Sequence, residues 1–411
     1  MKVAVIGGGI SGLSIAKILQ PRHEVVIFEK ESRPGGLIKC DIVEGCLFHR
    51  TGGHVFNTKR KDVLDWFWNY FDKDENFTKA FRNSCVAMPD GKMIPYPIEN
   101  HVYYFDETIQ QSFIKDLLTI SKNIGQVPEN FGSFLKGRFG PTLYNLYFKP
   151  YNYKVWRRDL NNVPMSWLEG KLPMPSVEEM IYNNMNHIEE KKFVHSSFYY
   201  PKCGGSQFIA NRLAKDLHIV YDCDIKKISK NNNKWSIEGI NFDKVIFCGN
   251  IKQLPNLLKC QIDLSMFESM IDNLEYHGTT SVFCEIKENP YSWIYMPSER
   301  HKSHRIICTG NFSSNNNTPG KTTATIEFTD NISKEDILYN LKCIPLSPKY
   351  ITHHYEQYTY PIQSLLTRNM IRDLKYKLSH NNIYLLGRFA EWEYYNMDAA
   401  IGAALDLINS I

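Results

Sequence analysis

The chain's ten cysteines contain no Cys-x-x-Cys pair, so the usual spacing of a zinc site or a dithiol redox motif is missing. No apolar run approaches the length of a membrane span. Net charge is only +4, and no basic block is long enough to argue for nucleic acid; RHK and KRK read as solvated faces. The opening residues, MKVAVIGGG, already read as a strand and its turn. This predicts no signal peptide, and with it a cytosolic protein with reduced thiols. No internal repeat is visible, and the Asn-rich patches SKNNNK and FSSNNNTPG read as surface turns.

What is abundant is aromatic surface. The 24 Tyr, 23 Phe and 7 Trp exceed what a core alone needs and suit ligand platforms. A length of 411 residues predicts two or three domains, which discontinuous segments can build. KVAVIGGGISGLSIAKIL followed by EVVIFEK opens a βαβ unit with parallel strands. Residues 61–72 carry an amphipathic helical pattern, and SCVAMPDGKMIPYPI reads as a hairpin turning at Asp90-Gly91. Residues 107–148 read as a helical cluster broken at GQVPENFG and RFGPT. A capped helix is expected over 203–217, then strands in IVYDCDIKKI, WSIEGI and DKVIFCGN. From 278 to 330 the pattern alternates as in a mainly antiparallel sheet. A helix near 334–342, a strand near 350–357, a helix near 364–378, the strand NIYLLG and a last helix from Met397 complete the expectation.

Gly7-x-Gly9-x-x-Gly12 follows a strand and opens a helix. Gly7 permits the tight turn, Gly9 lets a pyrophosphate approach the backbone, and Gly12 lets helix and strand pack closely. The helix N-terminus then faces phosphate charge. Glu29 ends the second strand, where a carboxylate accepts from ribose hydroxyls. Six residues on, RPGGL adds Gly35 and Gly36. A nicotinamide dehydrogenase does not need this second pair. Flavoproteins of the amine-oxidase superfamily often have it, so FAD is favoured over NAD. The returning strand that ends in Cys248-Gly249-Asn250 agrees with such a domain.

Six further stretches, in order along nearly the whole chain, resemble the UDP-galactopyranose mutase family: RTGGHVFNTKRKDVLDWF, IPYPIEN, KPYNYKVWRRDLNNVPMSWLEGKLP, SHRIICTGNFS, YTYPI and GRFAEWEYYNMD. The resemblance implies an α/β fold: a Rossmann-like FAD-binding domain with an inserted helical bundle and an antiparallel β-sheet domain. The FAD domain is expected from 1–75, 203–262 and 375–411, the helical substrate domain from 105–185, and the sheet domain from 80–104, 190–202 and 270–362. The implied activity is a ring isomerisation, interconverting pyranose and furanose forms of a UDP-hexose for cell-surface polysaccharide synthesis. It needs reduced FAD, whose N5 attacks the anomeric carbon as UDP leaves.

Residue by residue, the resemblance implies cofactor contacts at Gly7, Gly9, Ile10, Ser11, Gly12, Glu29, Lys30, Gly35, Gly36, Leu37, Gly53, His54, Arg388, Asn396, Met397 and Asp398. The Gly52-Gly53-His54 turn would lie along the flavin face, with His54 near N5 or the O4 edge. Arg388 would reach the pyrophosphate. Asn396 or Asp398 would cap the last helix, whose N-terminus would aim at the flavin N1–C2=O edge. Tyr151 would stack on uracil and Trp156 would pack beside the sugar–diphosphate. Arg305 matches one diphosphate clamp; the other falls on Lys171, where the pattern expects Arg. Lysine keeps the charge but loses the planar fork. Tyr360 and Tyr394 match two diphosphate tyrosines, with Tyr395 the adjacent alternative. Tyr96 and Asn100 are pocket residues, and Glu99 stands where an amide would suit uracil better. The catalytic set is His54, Lys171, Arg305, Tyr360 and Tyr394; no metal is expected. A homo-oligomer and an external reductant, NAD(P)H among the candidates, complete the expectation. Two other readings share the FAD segments: an amine- or protoporphyrinogen-oxidase-like enzyme, and a non-catalytic scaffold resembling Rab GDP-dissociation inhibitors.

Overall fold

The computed structural model describes residues 1–122, 128–163, 165, 175–188, 197–409 and 411. Lys2–Ile6 is a run of apolar residues after Lys2, and it becomes an inner strand of a five-stranded parallel sheet. In order across that sheet lie Ile383–Leu385, Lys244–Phe247, Lys2–Ile6, Glu24–Phe28 and His218–Val220. Four distant parts of the chain therefore build one sheet. Alternate residues of the first strand serve opposite faces, as strand geometry requires. Ala4 and Ile6 join a core with Phe28, Trp235, Phe247 and Trp392. Val3 and Val5 join another with Leu13, Ile246, Met397 and Ile401. The last helix, Met397–Ile408, belongs to that second core, as does the first, Ile10–Leu19.

The second sheet has seven strands, in the order Lys349–Pro361, Tyr276–Glu285, Thr323–Thr329, Arg305–Ile307, Trp293–Tyr295, Ser84–Ala87 and Met93–Pro95. Every neighbouring pair is antiparallel except Trp293–Tyr295 with Ser84–Ala87. The strand expected near 350–357 runs on to Pro361, because a register shift between His277 and Thr279 lets Tyr360 still pair with His277. Gly278 makes the shift possible: a Cβ there would stand 2.6 Å from Tyr355 Oη. The expected strand IVYDCDIKKI shortens to His218–Val220.

The helical cluster has its own core, including Phe113, Leu117, Phe131, Phe139 and Tyr147. The break expected at RFGPT is a kink at Gly140 (φ 81°) inside Phe131–Leu143, where Asp116 accepts from Thr142 N–H at 2.7 Å. A π-turn over Tyr144–Phe148 then leads into Lys149–Trp156, the helix that carries Tyr151 and Trp156. Among the described residues no helix is long and apolar enough to cross a membrane.

Candidate active site

The two glycine turns close on each other. Gly35 N–H donates to Gly8 C=O at 2.9 Å, and a Cβ on Gly36 would stand 3.2 Å from Gly9 Cα. A Cβ on Gly12 would fall 1.9 Å from Gly7 C=O oxygen, so only glycine lets the helix begin there. Glu29 is buried, and its carboxylate accepts from Gly8 N–H at 2.5 Å and Glu31 N–H at 3.0 Å. It thus braces the turn from the strand end where a ribose was expected. The residues at the two cap positions, Gly9 before Ile10 and Asn396 before Met397, make no side-chain capping bond. The expected cap by Asn396 is a correction: it occupies the cap position, but its side chain makes no capping bond. The two ends of the chain touch here, for a Cβ at Gly387 (φ 108°) would stand 2.8 Å from Ser11 Oγ. Uncapped helix N-termini and close-packed glycine backbone are what a dinucleotide pyrophosphate needs, so the residues fit FAD.

The Gly52-Gly53-His54 turn is locked from behind. A Cβ on Gly53 would meet Ile307 Cγ2 at 2.7 Å and Trp293 Nε1 at 3.1 Å. His54 N–H donates to His49 Nδ1 at 3.4 Å, and His49 Nε2 lies 2.8 Å from Tyr200 Oη. His54 Nε2 is buried and meets no hydrogen-bond partner in the structure. Burial, with the Arg388 charge adding, pushes the His54 pKa down to about 4. A neutral ring with an unpartnered nitrogen fits a neighbouring flavin, to which it can donate or accept.

Beside this turn sits a residue that the sequence reading did not single out. Glu327, on Thr323–Thr329, is fully buried and accepts from Gly52 N–H at 2.7 Å and from Arg305 Nε. Burial alone would raise its pKa, but Arg305 and His304 outweigh that and hold the carboxyl well below the usual range. Arg305 in turn donates from Nη2 to Tyr360 Oη at 2.8 Å. Tyr360 stacks on Tyr394, ring centroids 5.7 Å apart and 9° from parallel. Arg388 lies 4.7 Å over the Tyr394 ring. One network thus runs from the glycine–histidine turn through Glu327 and Arg305 to the two tyrosines. Glu327 is the one acid in TATIEF, and the burial that marks it out comes from the fold and not from its neighbours in sequence.

The other expected residues divide. Tyr395 turns the opposite way from Tyr394, into a cleft with Glu391, Arg368 and Lys375, because neighbouring side chains on an extended segment alternate. It does not join the tyrosine cluster. Arg388 donates to the carbonyls of Tyr395 and Thr359, the latter at 2.9 Å, and so ties the last loop to the sheet. Tyr151 packs edge-on against Tyr295 at 5.5 Å and lies 6.5 Å from His304, next to Arg305 in sequence. Tyr96 meets Tyr295 from the other side at 4.9 Å. Asn100 is buried and accepts from Asn183 at 3.2 Å. Glu99 is also buried, and burial pushes its pKa up to about 7. Trp156 ends its helix, with Arg157 following in the left-handed region. Lys171 lies outside the described residues. Lys154 was also missed: its buried Nζ donates to the carbonyls of Met296 (2.9 Å), Ser298 (2.5 Å) and Ser303 (2.8 Å), pinning the Tyr151 helix to the loop before Arg305.

Comparison with known proteins agrees with this arrangement. Residues 5–72 match the family model of the NAD(P)-binding Rossmann-like domain. The dTDP-fucopyranose mutase of Escherichia coli is 23% identical over 98% of this chain and 97% of its own. The UDP-galactopyranose mutase of Mycoplasma genitalium is 22% identical over 97% of this chain and 92% of its own. A crystal structure of reduced UDP-galactopyranose mutase superposes with a TM-score of 0.87 at 20% identity, covering 99% of this chain and 93% of that one. The fold is that of FAD-dependent oxidoreductases related to UDP-sugar mutases. Sequence and structure together point to the UDP-galactopyranose/fucopyranose mutase family.

Proposed function

We propose that this protein is a flavin-dependent nucleotide-sugar mutase that interconverts pyranose and furanose forms of a UDP-hexose. The observation that carries the reading is the Arg305–Tyr360–Tyr394 cluster, tied through Glu327 to the turn that holds the unpartnered His54 nitrogen. An anion grip beside a flavin-facing turn suits a reaction in which a diphosphate must leave and return. A bound reduced FAD would supply the nucleophile, its N5, toward the anomeric carbon.

The chain's own residues do the rest. Arg305, its Nε held by Glu327, offers its guanidinium to the diphosphate as fixed charge. Tyr360 and Tyr394 donate phenol protons to phosphate oxygens without adding charge. Burial and neighbouring phenol and carboxylate groups hold the Tyr360 hydroxyl protonated well above its ordinary range, although the Arg305 charge opposes them. Lys171 adds the second positive charge. Tyr151 stacks on the base, Trp156 flanks the sugar–diphosphate, and Tyr96 and Asn100 line the base pocket. His54 orients and hydrogen-bonds the cofactor edge. The same reading makes the enzyme a cytoplasmic homo-oligomer in cell-surface polysaccharide synthesis, reduced from outside, with NAD(P)H as the candidate.

The test is turnover of a panel of UDP- and dTDP-linked hexoses by dithionite-reduced and by oxidised protein, followed by chromatography. Interconversion by the reduced protein alone is expected. Equal inactivity of both forms across the panel sinks the reading. Lys171→Arg should keep activity, and wild-type turnover in Lys171→Ala removes that residue from the site.

A further inference from the structure

His277 stands on Tyr276–Glu285, directly across the ladder from Tyr360. Residues so paired share a face, which puts its ring on the substrate side. Its Nδ1 lies 3.2 and 3.1 Å from the two carboxylate oxygens of Asp330, and its Nε2 lies 3.0 Å from the backbone carbonyl oxygen of Trp156. Neither acceptor can donate. A carboxylate and a carbonyl offer only lone pairs, so both bonds exist only when both ring nitrogens carry protons.

We propose that His277 is a positioning residue for Trp156: it bridges Asp330 and the last carbonyl of the Lys149–Trp156 helix, and so fixes that helix end. The consequence for substrate rests on the mutase reading above; the clamp itself does not.

Asp330 is built to be the fixed half. It sits at φ 63°, a strained conformation for a non-glycine residue that persists where the surroundings determine it. Its N–H donates to Gly278 C=O at 2.9 Å, its carboxylate accepts from Gly278 N–H at 3.0 Å, and its carbonyl accepts from Thr280 Oγ1 at 2.7 Å. Burial would raise its pKa, but His277, the Gly278 amide and the Arg157 charge hold it below the usual range. The carboxylate is therefore present to keep the proton on Nδ1.

The other groups on this corner are the ladder partner Tyr360, Tyr355, whose hydroxyl stays protonated through burial and the Asp330 charge, and the Arg158–Glu275 ion pair. The last turn of the helix has a second anchor: Lys154, whose amine donates to the loop carbonyls, and Thr329 Oγ1, which donates to the Lys154 carbonyl at 2.8 Å. Its C-terminal end, where Arg157 takes the left-handed conformation, carries the His277 bond. Without the His277 bridge, the turn at Trp156 and Arg157 rests on the Lys154 anchor two residues earlier.

Hydrogen exchange on the flavin-loaded protein tests this without any substrate. Protection of peptides spanning residues 150–158 is compared at one fixed pH in wild type, His277→Gln and Asp330→Asn. Protection should fall about tenfold or more in His277→Gln, as loss of a charge-assisted bond implies, and by less in Asp330→Asn, which keeps the ring and its bond to the Trp156 carbonyl. With UDP-galactopyranose and reduced enzyme, His277→Gln should raise KM about tenfold while kcat is largely kept. Wild-type protection of this segment in His277→Gln overturns the clamp. An unchanged KM in His277→Gln overturns the positioning role. Inactivity of wild type with every sugar nucleotide would sink the mutase reading instead, and the exchange result would still judge the clamp. Flavin absorbance shows that each variant is folded, and Asp330→Asn keeps the test open if His277→Gln is not.

Discussion

Around residues 7–12 and 35–36 the backbone packs against itself, and the shape depends on side chains that are missing. Around Glu327 the shape depends on side chains that are present, charged and buried: Arg305, His304 and the tyrosine that Arg305 reaches. The first region has no room for an added atom at Gly12. The second tolerates no lost partner, because an unpaired buried charge is far costlier than an exposed one. A cofactor that never leaves suits a cradle of fixed backbone. A substrate that must be gripped and released suits charge held ready by a counter-charge.

This contrast can be broken from either side. The largest effect is expected for Gly12→Ala, whose Cβ would sit 1.9 Å from the Gly7 carbonyl oxygen. Something must move by far more than a rotamer allows, so loss of more than about 4 kcal/mol, read as absent flavin absorbance and a collapsed melting transition, is the expected outcome. Glu327→Gln keeps the shape but removes the counter-charge. It should cost about 3–5 kcal/mol in chemical denaturation, with flavin retained before the transition. Equal flavin loss in both variants would erase the distinction between the regions.

Glu99 gives a pH test of buried charge without a partner charge. The folded carboxyl keeps its proton up to about pH 7, an unfolded one only up to about 4.3. Unfolding therefore releases a proton between those values, and stability should fall as pH rises through that window, by about 4 kcal/mol in all. Glu99→Gln should lack this slope; an identical slope in the variant would show that another group produces it. The smallest effect separates neighbours. Tyr394→Phe should lower kcat/KM about tenfold, while Tyr395→Phe, facing the other cleft, should change it less than twofold.

The glycine turns were legible because their pattern is local: three glycines, a strand before and a helix after, all within twelve residues. The order of strands and helices was legible for the same reason. Glu327 was not, since what matters about it is Gly52, 275 residues away, and the burial that no neighbour in sequence announces. His277 was hidden in the same way, its partners lying at Trp156 and Asp330. The choice between Tyr394 and Tyr395 depends on which side of a turn each faces, and that is set by packing against Tyr360 on another sheet.

The central sheet also carries a constraint in time. Lys2–Ile6 leaves the ribosome well before one of its neighbours, Lys244–Phe247, which follows some hundreds of residues later, and the strand beyond it, Ile383–Leu385, follows later again. At ~5–20 residues per second an apolar strand waits roughly 20–80 s for that far side to be completed. Gly387 and the helix Met397–Ile408, which pack against the opening turn and first helix, come later still. The cradle therefore exists only once Met397–Ile408 has emerged, and flavin loading follows that step. A nascent chain stalled before Ile383 presents that sheet as an open edge, ready for capture by a chaperone or by its own kind.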